Sequence, residues 1–318
     1  MGVLLQHSSG YGGYDNTPLA RPGYYNEIMN VVYERDFLPE ITNNQINERI
    51  TACTQMVQIL KAPEVPDWRS YSVNQEMVPS QITANSICLY IDQAAYQSIK
   101  VDQLTIQWAC DRWAPWEAKF LEATYEKYVS MQREWVLTAM LLEADPRNKG
   151  NRAGQHTDIN LGARGNPVVI NKDNLMLQFA LLQMVLREHL TWKQNEMFIV
   201  VPLHLRPVLI QSRLADASFA GNCVSCSPAI DGMWPHQIAG FNLIESIHVP
   251  SAIESDGRLC FYVIAGSKEA FAYAADIIQG RLVENPNTFG IEYQMLAVWG
   301  GKMLYPEKVV VAYWTFEI

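Results

Sequence analysis

The sequence predicts an α+β fold in four parts: an irregular N-terminal arm, a projecting β-hairpin, one overlong helix and a C-terminal α/β lobe. Three observations carry this reading. Residues 1–26 are aperiodic and punctuated by Gly and Pro. Apolar residues over 113–144 recur near every 3.6 positions. Beyond residue 167, short apolar runs of strand length alternate with helical stretches.

With 318 residues and 49% apolar side chains, the chain is globular, and its length fits about two compact lobes. Only 18% of residues are charged, below the ~25% usual for soluble domains, and 11% are aromatic. Surface that meets other protein needs less charge, and aromatics gather at interface cores, so the composition points to extensive association. A large enzyme core would have a similar composition. The net charge of −9 provides no basic footprint for gripping phosphates. No apolar run approaches the ~20 residues that cross a bilayer. Met1 to Asn16 has no basic region followed by a hydrophobic segment and does not read as a signal peptide. Cys53, Cys88, Cys110, Cys223, Cys226 and Cys260 therefore read as reduced thiols, several of them small core residues, in a cytoplasmic chain.

The arm, with Tyr11, Tyr14, Pro18, Pro22 and Gly23, is too polar and irregular to order by itself and needs the body or a neighbour to hold it. Ile28, Val31, Val32 and Phe37 fit a short amphipathic helix that Pro39 breaks. Ile46, Ile50, Cys53, Val57 and Leu60 make a second helical stripe, closing an N-terminal segment at 1–61. Residues 62–104 change period. Trp68, Tyr71 and Val73, then Ile87, Leu89 and Ile91, mostly alternate, as in a long two-stranded hairpin with too little apolar surface to fold alone.

Over 113–144, Trp113, Trp116, Phe120, Tyr128, Met131, Trp135 and Leu142 form one seam, interrupted by Thr124. Asp111 suits the cap and Pro115 the first turn, while Asp145-Pro146 ends the helix. About thirty residues at ~1.5 Å rise give a rod of roughly 45 Å, long for a globular domain. Residues 147–166 form a Gly-rich loop of a length usually reserved for function or for a partner. The lobe from 167 to 318 then reads as a helix capped by Asn171, strand Met197–Val201, a short helix Leu203–Ser212, and a loop Ala217–Pro235. Strands Phe241–Ile244 and Leu259–Ile264, an alanine-rich helix Lys268–Ile278, and strands Ile291–Trp299 and Lys308–Thr315 complete it.

The search for chemistry is nearly empty. No phosphate-binding loop is present, and Gly10-Tyr11-Gly12-Gly13 lacks the flanking strand and helix of a dinucleotide fingerprint. Gly266-Ser267 lacks the rest of a nucleophile elbow, and Ser267 suits a helix cap better than a nucleophile. Cys223-Val224-Ser225-Cys226 has no second pair to complete a zinc site, and Pro228 and Gly232 place it on a loop. The six histidines show no metal-ligand spacing, and His189 reads as a solvated or satisfied helical residue. Glu245, Glu254 and Asp256 read as surface loop charges. No catalytic, cofactor-binding or metal-binding residue is assigned.

Three local stretches resemble a known family. Leu89-Tyr90-Ile91-Asp92-Gln93 with Tyr96, Lys100 and Val101-Asp102 resembles the returning strand of an extended loop. Val200-Val201-Pro202 before Leu205 and Leu209 resembles a strand leading into a short helix. Gly240-Phe241-Asn242-Leu243-Ile244-Glu245-Ser246 with Val249-Pro250 is followed by Ala265-Gly266-Ser267-Lys268-Glu269-Ala270, then by Gly301 to Pro306-Glu307. In this order they resemble the major capsid proteins of tailed bacteriophages, the Hong Kong 97-type fold, over roughly residues 25–318.

The resemblance implies a spine helix at 113–144 in a peripheral domain (105–166), and an axial domain (167–318) whose strand 291–299 returns to the peripheral one. It further implies an icosahedral virion head of hexamers and pentamers, assembled in the host cytoplasm around double-stranded DNA held without sequence-specific binding. Assembly contacts are expected at Tyr11, Tyr14, Trp68, Tyr71, Tyr90, Tyr96 and Lys100. A portal is an expected partner, as is a separate scaffolding protein, because the arm is short where many members carry a long helical segment. A cement protein fits the same scheme; no membrane does. Lys100, the only lysine in 68–104, has no companions that would make a covalent crosslink. Condensing counterions neutralise most phosphate charge on packaged DNA, so an acidic shell protein is no contradiction. Three rival readings remain: an encapsulin-like compartment around cargo protein, an α/β enzyme built on Cys223 and Cys226, and a minor virion protein such as a tail or cement component.

Overall fold

The computed structural model describes residues 36–43, 56–60, 66–80, 86–109, 113–189, 196–212, 237–284 and 289–317. Tyr11, Tyr14, the expected helix before Phe37, Ile46, Ile50, Cys53, Asp111 and the Cys223/Cys226 pair lie outside these residues.

Helix α1 (Leu38–Ile41) is a single turn. Pro39, expected to end the helix before it, stands in the first turn of this one, where a missing N–H is no loss. Strand β1 (Met56–Leu60) pairs antiparallel with β2 (Ser86–Tyr90), Val57 opposite Leu89. This corrects the helical stripe through Val57 and Leu60. A five-residue apolar run fits either period, and packing of Val57 with Leu89, Ala272 and Leu304 decides for the strand. Between these strands, residues 66–80 hold a turn at 73–74 and no strand, which corrects the alternation read across Trp68, Tyr71 and Val73. Without a partner strand or a core, alternation alone does not make a ladder.

Strand β3 (Gln93–Asp102) runs into helix α2 (Gln103–Ala109), an element absent from the sequence reading, with Asp102 Oδ1 accepting the Leu104 N–H at 2.8 Å. Helix α3 (Trp113–Glu143) is the predicted spine, 31 residues long and about 46 Å at the standard rise. Ala144 N donates to Met140 O at 3.0 Å as the helix closes. Asp145 Oδ1 then accepts Arg147 N at 2.8 Å and opens a 3-10 turn over Pro146–Asn148.

The loop at 149–166 is held by bridges of Lys149 to Val311, Ala153 to Ile159, and Ala163 to Asn166. After β4 (Val168–Ile170), Asn171 Oδ1 accepts the N–H groups of Asp173 and Asn174. It orders the turn before α4 (Leu175–Glu188) instead of capping that helix directly. The rest runs β5 (Met197–Val201), α5 (Leu205–Gln211), β6 (Gln237–Ile238), β7 (Phe241–Glu245), β8 (Ser251–Ile253), β9 (Leu259–Ser267), β10 (Phe271–Glu284), β11 (Gly290–Met303) and β12 (Val309–Phe316).

The alanine-rich segment is the largest correction. Residues 271–284 form strand β10, paired antiparallel along β11 from Phe271↔Met303 to Glu284↔Ile291. Ala272 and Ala274 are fully buried beside Val57 and Leu89, and small side chains there let the β1–β2 ladder pack close. That burial outweighs alanine's helix preference. Ser267 ends β9 and accepts Ala270 N at 2.9 Å through its carbonyl, so it opens a turn and caps no helix.

Strands β10, β11 and β3 form one sheet in that order, and β4-β12-β9-β5-β7-β6 form a larger one, with β8 also pairing β9. Met197, Ile199 and Val201 of β5 face α4 and α5 with Phe179, Leu182 and Leu205. Phe198 and Val200 face the opposite way, onto Val136, Leu137 and Met140 of α3. A strand covered on both faces reads as a continuous apolar run, as Met197–Val201 does. The spine therefore bridges the sheets. Its C-terminal part covers the large sheet, and its aromatic row, Trp116–Phe120–Tyr293 and Tyr128–Trp299, follows the small one. Met131 and Leu142 of the predicted seam fall outside it, at 39% and 72% exposure. Beyond Tyr128 the buried face turns toward Arg133, Val136, Leu137 and Met140, following the change of sheet.

Candidate association surfaces

Among the described residues, no cluster of His, Cys, Asp and Glu is placed to hold a metal ion, and no helix is long and apolar enough to cross a membrane. His189 shares a 3.0 Å hydrogen bond with Asn148 Oδ1, so it is a satisfied residue. Neighbouring Glu188 is also engaged. Burial pushes its carboxyl up, but hydrogen bonds from the Thr157 hydroxyl and the Gln155 and His156 amides outweigh that and hold it below the usual carboxylate range. Glu254 accepts from Gly165 N at 3.0 Å and from the Tyr313 hydroxyl at 2.7 Å, tying the Gly-rich loop to β12. These contacts order the loop.

The conspicuous features are apolar and exposed. In the 66–80 segment, Trp68 is 98% exposed, and Tyr71, Val73, Met77 and Val78 are also open to solvent. The segment's hydrogen bonds are internal: Ser72 N–H and Oγ donate to Gln75 Oε1, Gln75 N to Ser72 O, and Arg69 Nη2 to Ser80 Oγ. It holds a shape without owning a core. Tyr90 and Tyr96 are likewise exposed, at the end of β2 and on β3. Of the expected contact residues among those described, Lys100 alone is half-buried. It stands opposite Glu292 in the β3–β11 register. The carboxyl of Glu292 is held low by hydrogen bonds from the Ser98 hydroxyl and the Gln294 amide and by the charges of Lys100 and Arg281.

A groove of about 220 Å³ lies between the spine and the small sheet. Ala95 and Ala297, paired across β3 and β11, lie at its base, with Met295 beside them. Tyr125, Tyr128 and Met131 of α3 line one side, and Tyr96 and Ile277 are on the sheet side. Burial pushes the Tyr128 hydroxyl up to about 12, the neighbouring Gln132 amide offsetting only part of it.

A third surface was missed by the sequence reading. Helix α4 buries Phe179, Leu182, Val185 and Leu186, yet Met176, Leu177 and Met184 on its other side are 42%, 58% and 47% exposed. The available signal was the nearly unbroken apolar composition of Leu175–Leu186, more than one buried face requires. Such faces are what associating proteins leave on an isolated subunit.

No family model matches the sequence, and no curated protein does. Solved structures do match. A chain from Mycobacterium phage Che8 is similar at 17% identity, with a TM-score of 0.66, over 93% of this chain and 96% of that one. The mature capsid of bacteriophage PhiM1 is similar at 11% identity and TM-score 0.61, over 92% and 90% of the two chains. The capsid of cyanophage P-SCSP1u is similar at 11% identity and TM-score 0.60, over 94% of each. The class defined by loop, spine and double-faced sheet is thus the fold of phage capsid subunits. Within that class, the chain has the Hong Kong 97-type fold along nearly its whole length.

Proposed function

We propose that this chain is the major capsid protein of a tailed bacteriophage. Copies assemble into hexamers and pentamers of an icosahedral head enclosing double-stranded DNA. The observation that carries the proposal is the fold match over more than nine-tenths of the chain to structures that include phage capsids. The exposed apolar segment at 66–80 supports it, since a side chain such as Trp68 gains by burial only against another molecule.

In this scheme the arm occupies 1–61 and the extended loop 62–104. The peripheral domain occupies 105–166 and the axial domain 167–318, with the strand at 291–299 serving the peripheral part. Support for that last assignment is the pairing of β11 with β3 beside the spine. The protein acts by assembly and not by catalysis, and resides in the virion after assembly in the host cytoplasm. Trp68, Tyr71, Tyr90, Tyr96 and Lys100, with Tyr11 and Tyr14 of the arm, are its proposed contact residues. A portal and a separate scaffolding protein complete the assembly, and a cement protein has a place on its outside.

The test is to express the chain with and without its candidate scaffold and image it by negative-stain electron microscopy. Closed shells tens of nanometres across are the expected result, because closed symmetry follows from repeated interfaces. Small oligomers under every condition would refute the proposal. Particles purified from infected cells should hold a nuclease-resistant genome; protein cargo in its place would favour a cellular compartment.

A further inference from the structure

The groove between the spine and the small sheet has a different chemistry at each end. Its inner part is apolar. Ala95 and Ala297 form the base, and the thioethers of Met131 and Met295 and the rings of Tyr125 and Tyr128 stand around it. The Tyr128 hydroxyl is itself buried, so that ring presents carbon to the groove. At the mouth stands Lys127, exposed and with no ion pair among the described residues. The volume of about 220 Å³ is below that of a drug-sized pocket and suits a ligand of one or two fused rings. Each end selects its own half of such a ligand. Thioether sulfur and tyrosine rings favour an aromatic body over an aliphatic one, through sulfur–ring contacts and offset or edge-on ring packing. The apolar interior disfavours a polar group on the ring itself. The ammonium at the mouth favours an anionic substituent at the ring's outer end.

We infer that this groove is a binding site for a small aromatic carboxylate, with the ring inward against Met131 and Met295 and the carboxylate at Lys127. The site is complete within one chain and needs no second copy, so it stands apart from the shell reading above. Its walls come from α3, β3, β10 and β11, and an occupant therefore touches the spine and all three strands of the small sheet. The two alanines at the base set the depth, because larger side chains at 95 and 297 would fill the space the ring takes.

The test titrates the full chain, unassembled and isotopically labelled at its methionine methyl groups, with three probes that share one ring: indoleacetate, methylindole and tryptamine. NMR follows the methyl signals, with Met131→Leu and Met295→Leu assigning the two that matter. Saturable ring-current shifts at Met131 and Met295, larger than at the other methionines, are the expected result. Indoleacetate should bind roughly fivefold tighter than methylindole, and tryptamine weakest, as an exposed ion pair allows. Lys127→Glu should reverse the order, so that tryptamine binds tighter than indoleacetate. Shifts confined to other methionines, or none from any probe up to its solubility, would overturn the site. The charge of Asp276 also acts on Tyr128. Tryptamine binding the parent chain better than indoleacetate would give the mouth to Asp276 and overturn the ligand class, as would an order that Lys127→Glu leaves unchanged. Ala95→Leu narrows the base and should remove the shifts from all three probes; undiminished binding to that variant would place the ring elsewhere. Position 127 is exposed, so the charge reversal carries the test even where Ala95→Leu does not fold.

Discussion

Arg133 Nε stands 3.7 Å from Asp36 Oδ1, and the same guanidinium lies 5.7 Å from the centre of the Phe37 ring. Arg133 is 1% exposed in the middle of the spine, while the Asp36 side chain is half open to solvent. A buried cation needs a counter-charge and a polarisable neighbour, and the chain entering α1 supplies both. This junction fastens the N-terminal segment to the spine, beside Leu38 and Ile41 in the same core.

Asp36 also accepts the Leu38 N–H at 3.2 Å through Oδ1, so its charge and its turn contact can be separated. Asp36→Asn keeps an oxygen for Leu38 and removes the charge; Asp36→Ala removes both. Asp36→Ala should lower the stability of the unassembled subunit by about 1–3 kcal/mol, between the exposed and buried limits for ion pairs. Asp36→Asn should fall between it and the parent in urea denaturation. An Asn variant as stable as the parent would mean that the charge contributes nothing.

Glu188 gives the Gly-rich loop a pH dependence. Its carboxyl is held below the ordinary value of 4.5 in the folded chain, so folding favours the charged form. The stabilisation is fully present above that ordinary value and is lost as pH falls through the lower folded one. Hydrogen exchange at the Gln155 amide, which donates to Glu188 Oε2 at 2.5 Å, should accelerate relative to the core in that acid window. Glu188→Gln should show the faster exchange already at neutral pH. Equal protection in parent and variant at pH 7 would remove Glu188 from the role.

The tip and the ladder beneath it should respond differently to truncation. Trp68→Ala truncates a side chain that is 98% exposed, and should change subunit stability by no more than about 0.5 kcal/mol. Val57→Ala empties a buried position against Leu89 and Leu304, and should cost about 1–2 kcal/mol. Thermal denaturation of unassembled protein measures both. A large loss on Trp68→Ala would place that indole against its own chain.

These contrasts also explain what the sequence could reveal. The spine was legible because 31 residues of helical pattern outlast any accident of spacing, and Asp145-Pro146 marks its end. Met197–Val201 was legible because burial on both faces removes every polar residue. Phe271–Glu284 was not. Its alanines have a helix former's local preference, and only the approach of Val57 and Leu89, far away in sequence, makes them strand residues. The groove was equally hidden, since Ala95, Met131, Ile277 and Ala297 meet only after four elements pack. The exposure of Trp68 and Tyr71 was legible for the opposite reason: aromatics on a polar segment without a core need no partner in sequence to stand out.

Gly300 tests the junction of ladder and small sheet. A Cβ at this position would overlap the carbonyl oxygen of Tyr90 and come 2.8 Å from Ile91 Cα. Both obstacles are backbone, which cannot swing aside as a side chain end can. The chain passes there from β2 into β3, while Gly300 continues β11 past Trp299, the last residue of the β3–β11 pairing. Gly300→Ala should therefore destabilise the subunit by about 1–3 kcal/mol, an overpacking penalty. Gly280, by comparison, has nothing within 4 Å of the same added atom. Gly280→Ala should be neutral or slightly stabilising, because alanine narrows the unfolded ensemble. The two variants share one chemical change on neighbouring strands of one sheet, so their difference isolates the close approach at Tyr90. Equal melting temperatures would show that the ladder shifts freely against β11, and that the β2–β3 corner is not held by that contact.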